Sequence, residues 1–152
     1  NGIVNRYTDK WNTFGLNFKF TDIQASMLLN QIDNIKLTAQ KLQSLYKFYE
    51  TNLKNIKVLS LVYSSKEIKK GWVPLYIECY SNKRKEIITL LKKNKIQVRK
   101  IYPSLDTSKY LNIKSEKFKY SNNFNKKLFY LPSGPDQEKI KLKKIFKLLS
   151  NI

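Results

Sequence analysis

Few side chains in this sequence could do chemistry unaided. Cys79 is the one cysteine, histidine is absent, and the eleven carboxylates are scattered without a spacing that suggests a catalytic pair. The lack of histidine removes the usual general base, the Ser-His and Cys-His dyads, and every His-based metal site. Cys79 falls in a strand-like run with no histidine to activate it, so it reads as a buried structural thiol. Gly2, Gly15, Gly71 and Gly134 are isolated, which excludes a Gly-rich phosphate loop. By residue type alone, this is a soluble α+β chain of 152 residues with no self-contained active site and no metal site.

What remains is charge. Thirty Lys+Arg against eleven Asp+Glu leave a net +19. Such a surface suits a nucleic-acid backbone, an anionic membrane or a phosphorylated substrate. Only Arg6, Arg84 and Arg99 are arginines, however, and planar bidentate recognition of bases and phosphates favours Arg over Lys. The abundance of Lys, Asn, Ile, Tyr and Phe also fits an AT-rich genome, so the bias needs no ligand. Nucleic acid is the weaker reading of the charge.

The elements that must position any site follow from periodicity. Residues 1–20 have no clear period but carry Tyr7, Trp11, Phe14, Phe18 and Phe20, a loop or short-strand segment that packs on something. Thr21-Asp22-Ile23-Gln24 fits a capping box, and Asp22 suits the helix dipole. Leu28, Ile32, Ile35, Ala39, Leu42, Tyr46, Tyr49 and Leu53 then alternate four and three apart. One helix over 21–53 would be about 50 Å long, too long for a globule with a radius of gyration of about 15 Å. It therefore reads as a helix packing first on one body and then on another. Residues 54–152 form a small α+β domain. Strands are expected over 72–79, 96–102 and 128–131, with Pro74 at an edge or a strand start. Helices are expected from Ser81 or Asn82 to about Lys93, over 116–127, and after Asp136 as cap, with Ile140, Ile145, Phe146 and Leu149 inward. Residues 62–71 look like an exposed connection. The expected fold is α+β: a long N-terminal helix, then a small mainly antiparallel sheet with helices on one side.

Several segments, in order along the chain, resemble a known family. Gly15-Leu16-Asn17-Phe18-Lys19-Phe20-Thr21-Asp22-Ile23-Gln24-Ala25 is similar to the G-x-N-x-R-x-T/S-[DE]-[IL]-Q-A-A segment of the DegT/DnrJ/StrS sugar aminotransferases, which use pyridoxal phosphate (PLP). Gln31, the run Arg84…Leu91…Lys95-Ile96, Tyr102-Pro103-Ser104-Leu105 before Tyr110, and Leu131-Pro132-Ser133-Gly134-Pro135 continue the resemblance. Lys19 stands where the family has Arg, Asp106 where it has His, Ser26 for the second Ala, and Lys95 for the Gly before Ile96.

The resemblance implies the C-terminal small-domain portion of fold-type I enzymes that move an amino group from an amino acid to a keto sugar on a nucleotide carrier. It implies cofactor-phosphate contacts from Asn17, reaching a neighbouring subunit, with Lys19 complementing the same anionic site. Tyr102 would line the sugar-nucleotide pocket; read by its residues alone, it is a strand-end tyrosine of the core. The Schiff-base Lys, the Asp on the pyridinium nitrogen and the stacking aromatic belong to a preceding domain and have no counterpart here, so this chain holds no PLP covalently. The expectation is a truncated aminotransferase, since no initiator Met is present, or a free-standing small domain that is inactive alone. A dehydratase or regulatory relative stays open, as does a catalytically silent basic module holding a polyanion. A homodimer or higher oligomer through residues 7–53, a cytoplasmic location and no membrane partner complete the reading.

Overall fold

In the computed structural model, residues 21–111 and 118–152 are described. They form α1 (Asp22–Ile32), α2 (Ile35–Leu53), β1 (Ser60–Leu61), β2 (Ile77–Tyr80), α3 (Arg84–Lys93), β3 (Arg99–Lys100), α4 (Lys119–Lys127), β4 (Leu128–Leu131) and α5 (Lys139–Leu149). The fold is α+β with a small antiparallel sheet, as the sequence predicts. Residues 1–20, with Asn17 and Lys19, lie outside the described part.

Thr21 caps α1 through the expected box: its hydroxyl accepts from the Gln24 N–H at 3.4 Å, and the Gln24 side chain accepts from the Thr21 N–H at 2.9 Å. The helix expected over 21–53 is interrupted at Asp33 and Asn34. There the Asn34 N–H bonds three residues back, to the Gln31 carbonyl at 3.1 Å, and the Asn34 amide side chain donates to the Asn30 carbonyl at 3.5 Å. A short amide side chain competes with the helical backbone in this way. The apolar stripe divides at the same place. Leu42, Tyr46, Tyr49 and Leu53 are buried, whereas Leu28, Ile32 and Ile35 are exposed and α1 buries none of its side chains.

The sheet has the order β1-β2-β4-β3, with every neighbouring pair antiparallel. Ile77 faces Leu131 and Cys79 faces Phe129 across β2 and β4, and these four side chains are buried against α2, α3 and α5. Because side chains alternate along a strand, Glu78, Tyr80 and Tyr130 point to the other face, where they are only half-buried. Tyr46 and Tyr49 fill the core but carry hydroxyls that need partners. Tyr46 donates to the Tyr63 carbonyl at 2.7 Å and Tyr49 to the Pro132 carbonyl at 3.1 Å. Burial pushes both phenols and the enclosed Cys79 thiol up from their ordinary pKa values. Cys79 is a structural thiol.

Two of the expected boundaries move here. The strand expected from Trp72 begins only at Ile77. Trp72 instead stands edge-on to Tyr46 at 5.0 Å, and the buried Pro74, with no N–H to give a ladder, precedes the strand. Asp136 does not cap the last helix; it reaches Lys41 at 2.7 Å, and α5 starts at Lys139 after Glu138. Leu142, Ile145, Phe146 and Leu149 then share one face at helical spacing, which leaves Ile140 off that face and 81% exposed. The stretch 62–71 is a connection that folds into a 3-10 helix, Ser65–Lys70. Gly71 ends it at φ +88°, a backbone conformation that suits glycine.

Candidate functional site

The strand expected over 96–102 narrows to β3, and Tyr102 lies just beyond its end. The ring is 48% exposed, so it is not the core tyrosine that its strand-end position suggests. The Arg99 guanidinium lies over it, 4.5 Å from the centroid, a cation–π contact that orients both groups. Among the described residues, none of the ion pairs includes Arg99.

The segment after Tyr102 is tied to one helix. Asn125 of α4 donates its side-chain amide to the Tyr102 carbonyl. The Ser121 and Ser104 hydroxyls meet at 3.1 Å, and the Asn122 amide donates to the Asp106 carboxylate at 2.9 Å. Asp106, where the family pattern has His, is nearly buried and serves as the acceptor that closes this turn. Arg84 anchors the other end of the helix. Its Nη1 donates to the carbonyls of Asn125 at 2.6 Å and Leu128 at 3.2 Å, a cation placed where the helix dipole is negative. Arg84, α4 and the 102–106 turn thus form one hydrogen-bonded unit.

The open face of the sheet continues from Tyr102. Tyr130 stands opposite Glu78 on one side and Arg99 on the other. Tyr76 stacks on Tyr130 at 4.9 Å with the planes tilted by 31°. Burial, followed by the Glu78 charge, pushes the Tyr130 phenol up to about 12, so it remains a neutral donor at ordinary pH. Burial also pushes the Glu78 carboxyl up. Where β2 and β3 begin and β4 ends, the end of the sheet borders a cleft of about 460 Å³ whose lining joins Tyr76, Arg99 and Tyr130 to the core side chains Leu131, Leu142 and Ile145. The arrangement can hold an anion and a flat ring. It contains no nucleophile with an adjacent base.

Among the described residues no group of His, Cys, Asp and Glu could hold a metal ion, and no described helix is long and apolar enough to cross a membrane. The described lysines lie at the surface, with Lys127 half-buried across Tyr80. Of these, Lys95 and Lys141 border the cleft at the end of the sheet. Sequence reasoning singled out Tyr102 and Arg84 but missed Arg99, Asn122 and Asn125. Their signal was spacing: a cation three residues before a strand-end tyrosine, and three short polar side chains on one turn of helix.

The model of the DegT/DnrJ/EryC1/StrS aminotransferase family matches residues 1–150. Among curated proteins nothing matches. A solved structure of DesV from S. venezuelae, in complex with a ketimine intermediate, superposes with a TM-score of 0.72 at 17% identity, covering 99% of this chain and 40% of that one. An aminotransferase from Brucella abortus gives 0.71 at 17% identity with the same coverage. A Streptococcus pneumoniae protein assigned as a sugar aminotransferase, in its PMP form, gives 0.68 at 19% identity, covering 86% of this chain and 35% of its own. These likenesses show a shared fold, and the chain spans 35–40% of the length of these structures.

Proposed function

Given that the chain belongs to the DegT/DnrJ/EryC1/StrS aminotransferase family, we propose that it is the C-terminal portion of a PLP-dependent nucleotide-sugar aminotransferase. The parent transfers an amino group from an amino acid to a keto sugar on a nucleotide carrier. The observation that carries this reading is the family match over residues 1–150, joined to a fold that overlies 35–40% of such enzymes. In the parent, another part of the enzyme supplies the lysine that binds the cofactor, and the group, when bound, supplies the electron sink for amino transfer. Asn17 and Lys19 contribute a neutral amide donor and a cation to the cofactor phosphate across a homodimer interface. Tyr102, held by Asn125 and oriented by Arg99, borders the sugar nucleotide. A cytoplasmic enzyme is consistent with the single free thiol.

The exposed face of α1 supports the same reading. Ile23, Met27, Leu28, Leu29 and Ile32 are exposed along one helix that buries nothing. An apolar surface of this kind marks an interface, here with the rest of the enzyme. The alternative, a silent basic module for a polyanion, rests on charge alone.

The test is an amino-transfer assay on the gene product that carries this segment, with glutamate and a nucleotide-linked 3- or 4-keto sugar, read by mass spectrometry. Formation of the amino sugar, with the 152-residue chain alone inert, is expected. A carrier protein that binds PLP yet transfers nothing would point to a dehydratase or regulatory relative. One that binds no PLP but retains RNA at physiological salt would support the basic module.

A further inference from the structure

The two edges of the sheet are guarded unequally. At one end of the strand order, β3 carries the exposed cations Arg99 and Lys100 and is followed by Pro103, devices that keep a sheet edge from pairing further. At the other end, β1 lies in the run Val58-Leu59-Ser60-Leu61-Val62-Tyr63. That run has no charge, proline or glycine and is rich in strand-forming residues. The Val62 N–H bonds the Glu78 carbonyl at 3.0 Å, in register with Ser60 opposite Tyr80 and Leu61 opposite Cys79. Hydrogen-bonded positions alternate along an antiparallel pair. Ser60 and Val62 therefore turn their backbone groups to β2, and Leu61 turns its N–H and C=O to the open edge. Among the described strands, β1 has no second neighbour.

A cleft of about 460 Å³ borders this edge, and its lining joins Leu53 and Lys54, at the end of α2, to Leu59, Leu61 and Tyr63. Glu50 also lines it, but its carboxylate is committed. It accepts from the Ser65 N–H at 2.8 Å, from the Ser65 hydroxyl, and from the Ser64 hydroxyl at 3.4 Å. Glu67, on the connection that follows, is taken by Lys70 at 3.0 Å. Lys54, Lys57 and Lys66 are exposed, and none enters an ion pair among the described residues. The edge thus combines outward backbone groups, apolar side chains and a positive rim.

We propose that the β1 edge docks an extended acidic segment of a partner protein, which adds to the sheet as a further strand. Main-chain hydrogen bonds with Leu61 hold the segment about 4.8 Å from β1. Side chains alternate along a strand, so every second one is apolar and enters the cleft against Leu53 and Leu61. Carboxylates at the ends of the segment meet Lys54 and Lys57. A second copy of this chain is the poorer occupant. Antiparallel pairing of two β1 edges about Leu61 sets Lys57 opposite Ser65 of the other copy, beside its Lys66, with +19 on each chain. The proposal is independent of the amino-transfer reading.

Titration of the full chain with the blocked peptide Asp-Glu-Val-Thr-Val-Thr-Val-Glu-Asp at 150 mM salt, followed by two-dimensional NMR and amide hydrogen exchange, tests this. Saturable shifts are expected at Ser60, Leu61 and Val62, with exchange at the Leu61 amide slowed at least about tenfold. The same peptide N-methylated at its valines, and a polyglutamate of equal length, should each bind at least about tenfold more weakly. The first lacks the N–H donors that face Leu61, and the second lacks the apolar side chains. Lys54→Glu with Lys57→Glu changes two exposed side chains, so the fold is retained, and should weaken the peptide about tenfold. Lys85→Gln with Lys92→Gln on α3 should leave binding unchanged. Equal binding of the N-methylated peptide or of polyglutamate, or shifts spread over α3 and α5 with β1 unmoved, would overturn the proposal. Protection of the Leu61 amide that grows with protein concentration, without peptide, would overturn it in favour of a second copy.

Discussion

The Arg84 guanidinium donates to the Asn125 carbonyl at 2.6 Å, while the same asparagine's side chain holds the Tyr102 carbonyl. One residue thus links a helix cap to the tyrosine that borders the candidate site. Arg84→Met should cost about 1.5–3 kcal/mol, because it removes a charged donor from two carbonyls. Asn125→Ala should cost about 1 kcal/mol, and the double variant should fall short of the sum by at least about 0.5 kcal/mol. Urea unfolding of the four proteins measures this. Strict additivity would show that Arg84 and the Tyr102 turn are independent.

Stability should fall in alkali, and the order of events is set by three buried acids. Cys79, Tyr46 and Tyr49 are all pushed up by burial from ordinary values of 9.0, 10.0 and 10.0. The native state keeps protons that the unfolded chain gives up. Stability from these groups is therefore complete below about pH 9 and declines as pH rises, by about 1.4 kcal/mol per pH unit for each group in its window. Cys79→Ala should move the onset from about pH 9 to about pH 10. Denaturation midpoints from pH 7 to 11 provide the check, and an unchanged onset would mean the thiol is not the first to titrate.

Leu42 and Leu28 belong to one sequence stripe but should differ sharply in cost. Leu42→Ala deletes a buried side chain and should destabilise by about 2–5 kcal/mol. Leu28 is 41% exposed on a helix that buries nothing, so Leu28→Ala should stay within about 0.5 kcal/mol. Equal losses in chemical denaturation would show that α1 has a partner in the chain by itself.

In the 152-residue chain by itself, where the rest of the enzyme does not cover it, that apolar face predicts self-association. Burying ~600 Å² of it at ~25 cal/mol/Å² gives about 15 kcal/mol before the costs of association remove much of it. The net charge of +19 opposes this, but screening limits its reach to ~8 Å at physiological salt. Sedimentation equilibrium at 150 mM salt and tens of micromolar should find a dimer or larger, dispersed by Leu28→Glu with Ile32→Glu. A strict monomer would contradict it.

Much of this architecture was legible because single signals were strong. The capping box at Thr21 and the run Leu128-Phe129-Tyr130-Leu131 appear as the sequence predicts. Misread features are those set by tertiary partners. Asp136 has the chemistry of a cap but is drawn to Lys41, ninety-five positions away, and Trp72 leaves a strand-like run to pack on Tyr46. The interruption at Asn34 was hidden because the apolar spacing continues through it. At the site, Tyr102 was found through a motif, whereas Arg99, Asn122 and Asn125 left only a weak local spacing, and their partners across elements emerge from the fold. Asn17 and Lys19 lie outside the described residues and rest on the family resemblance.

On the function proposed above, this chain is the part of an aminotransferase that does not carry the cofactor lysine. Borohydride reduction of the gene product containing this segment, in the presence of PLP, followed by peptide mass spectrometry, tests it most directly. The account predicts one stoichiometric lysine adduct, mapped outside residues 1–152, and only scattered substoichiometric labelling among the surface lysines of this segment. A single stoichiometric adduct on a lysine within residues 1–152, with turnover by the isolated chain, would contradict it.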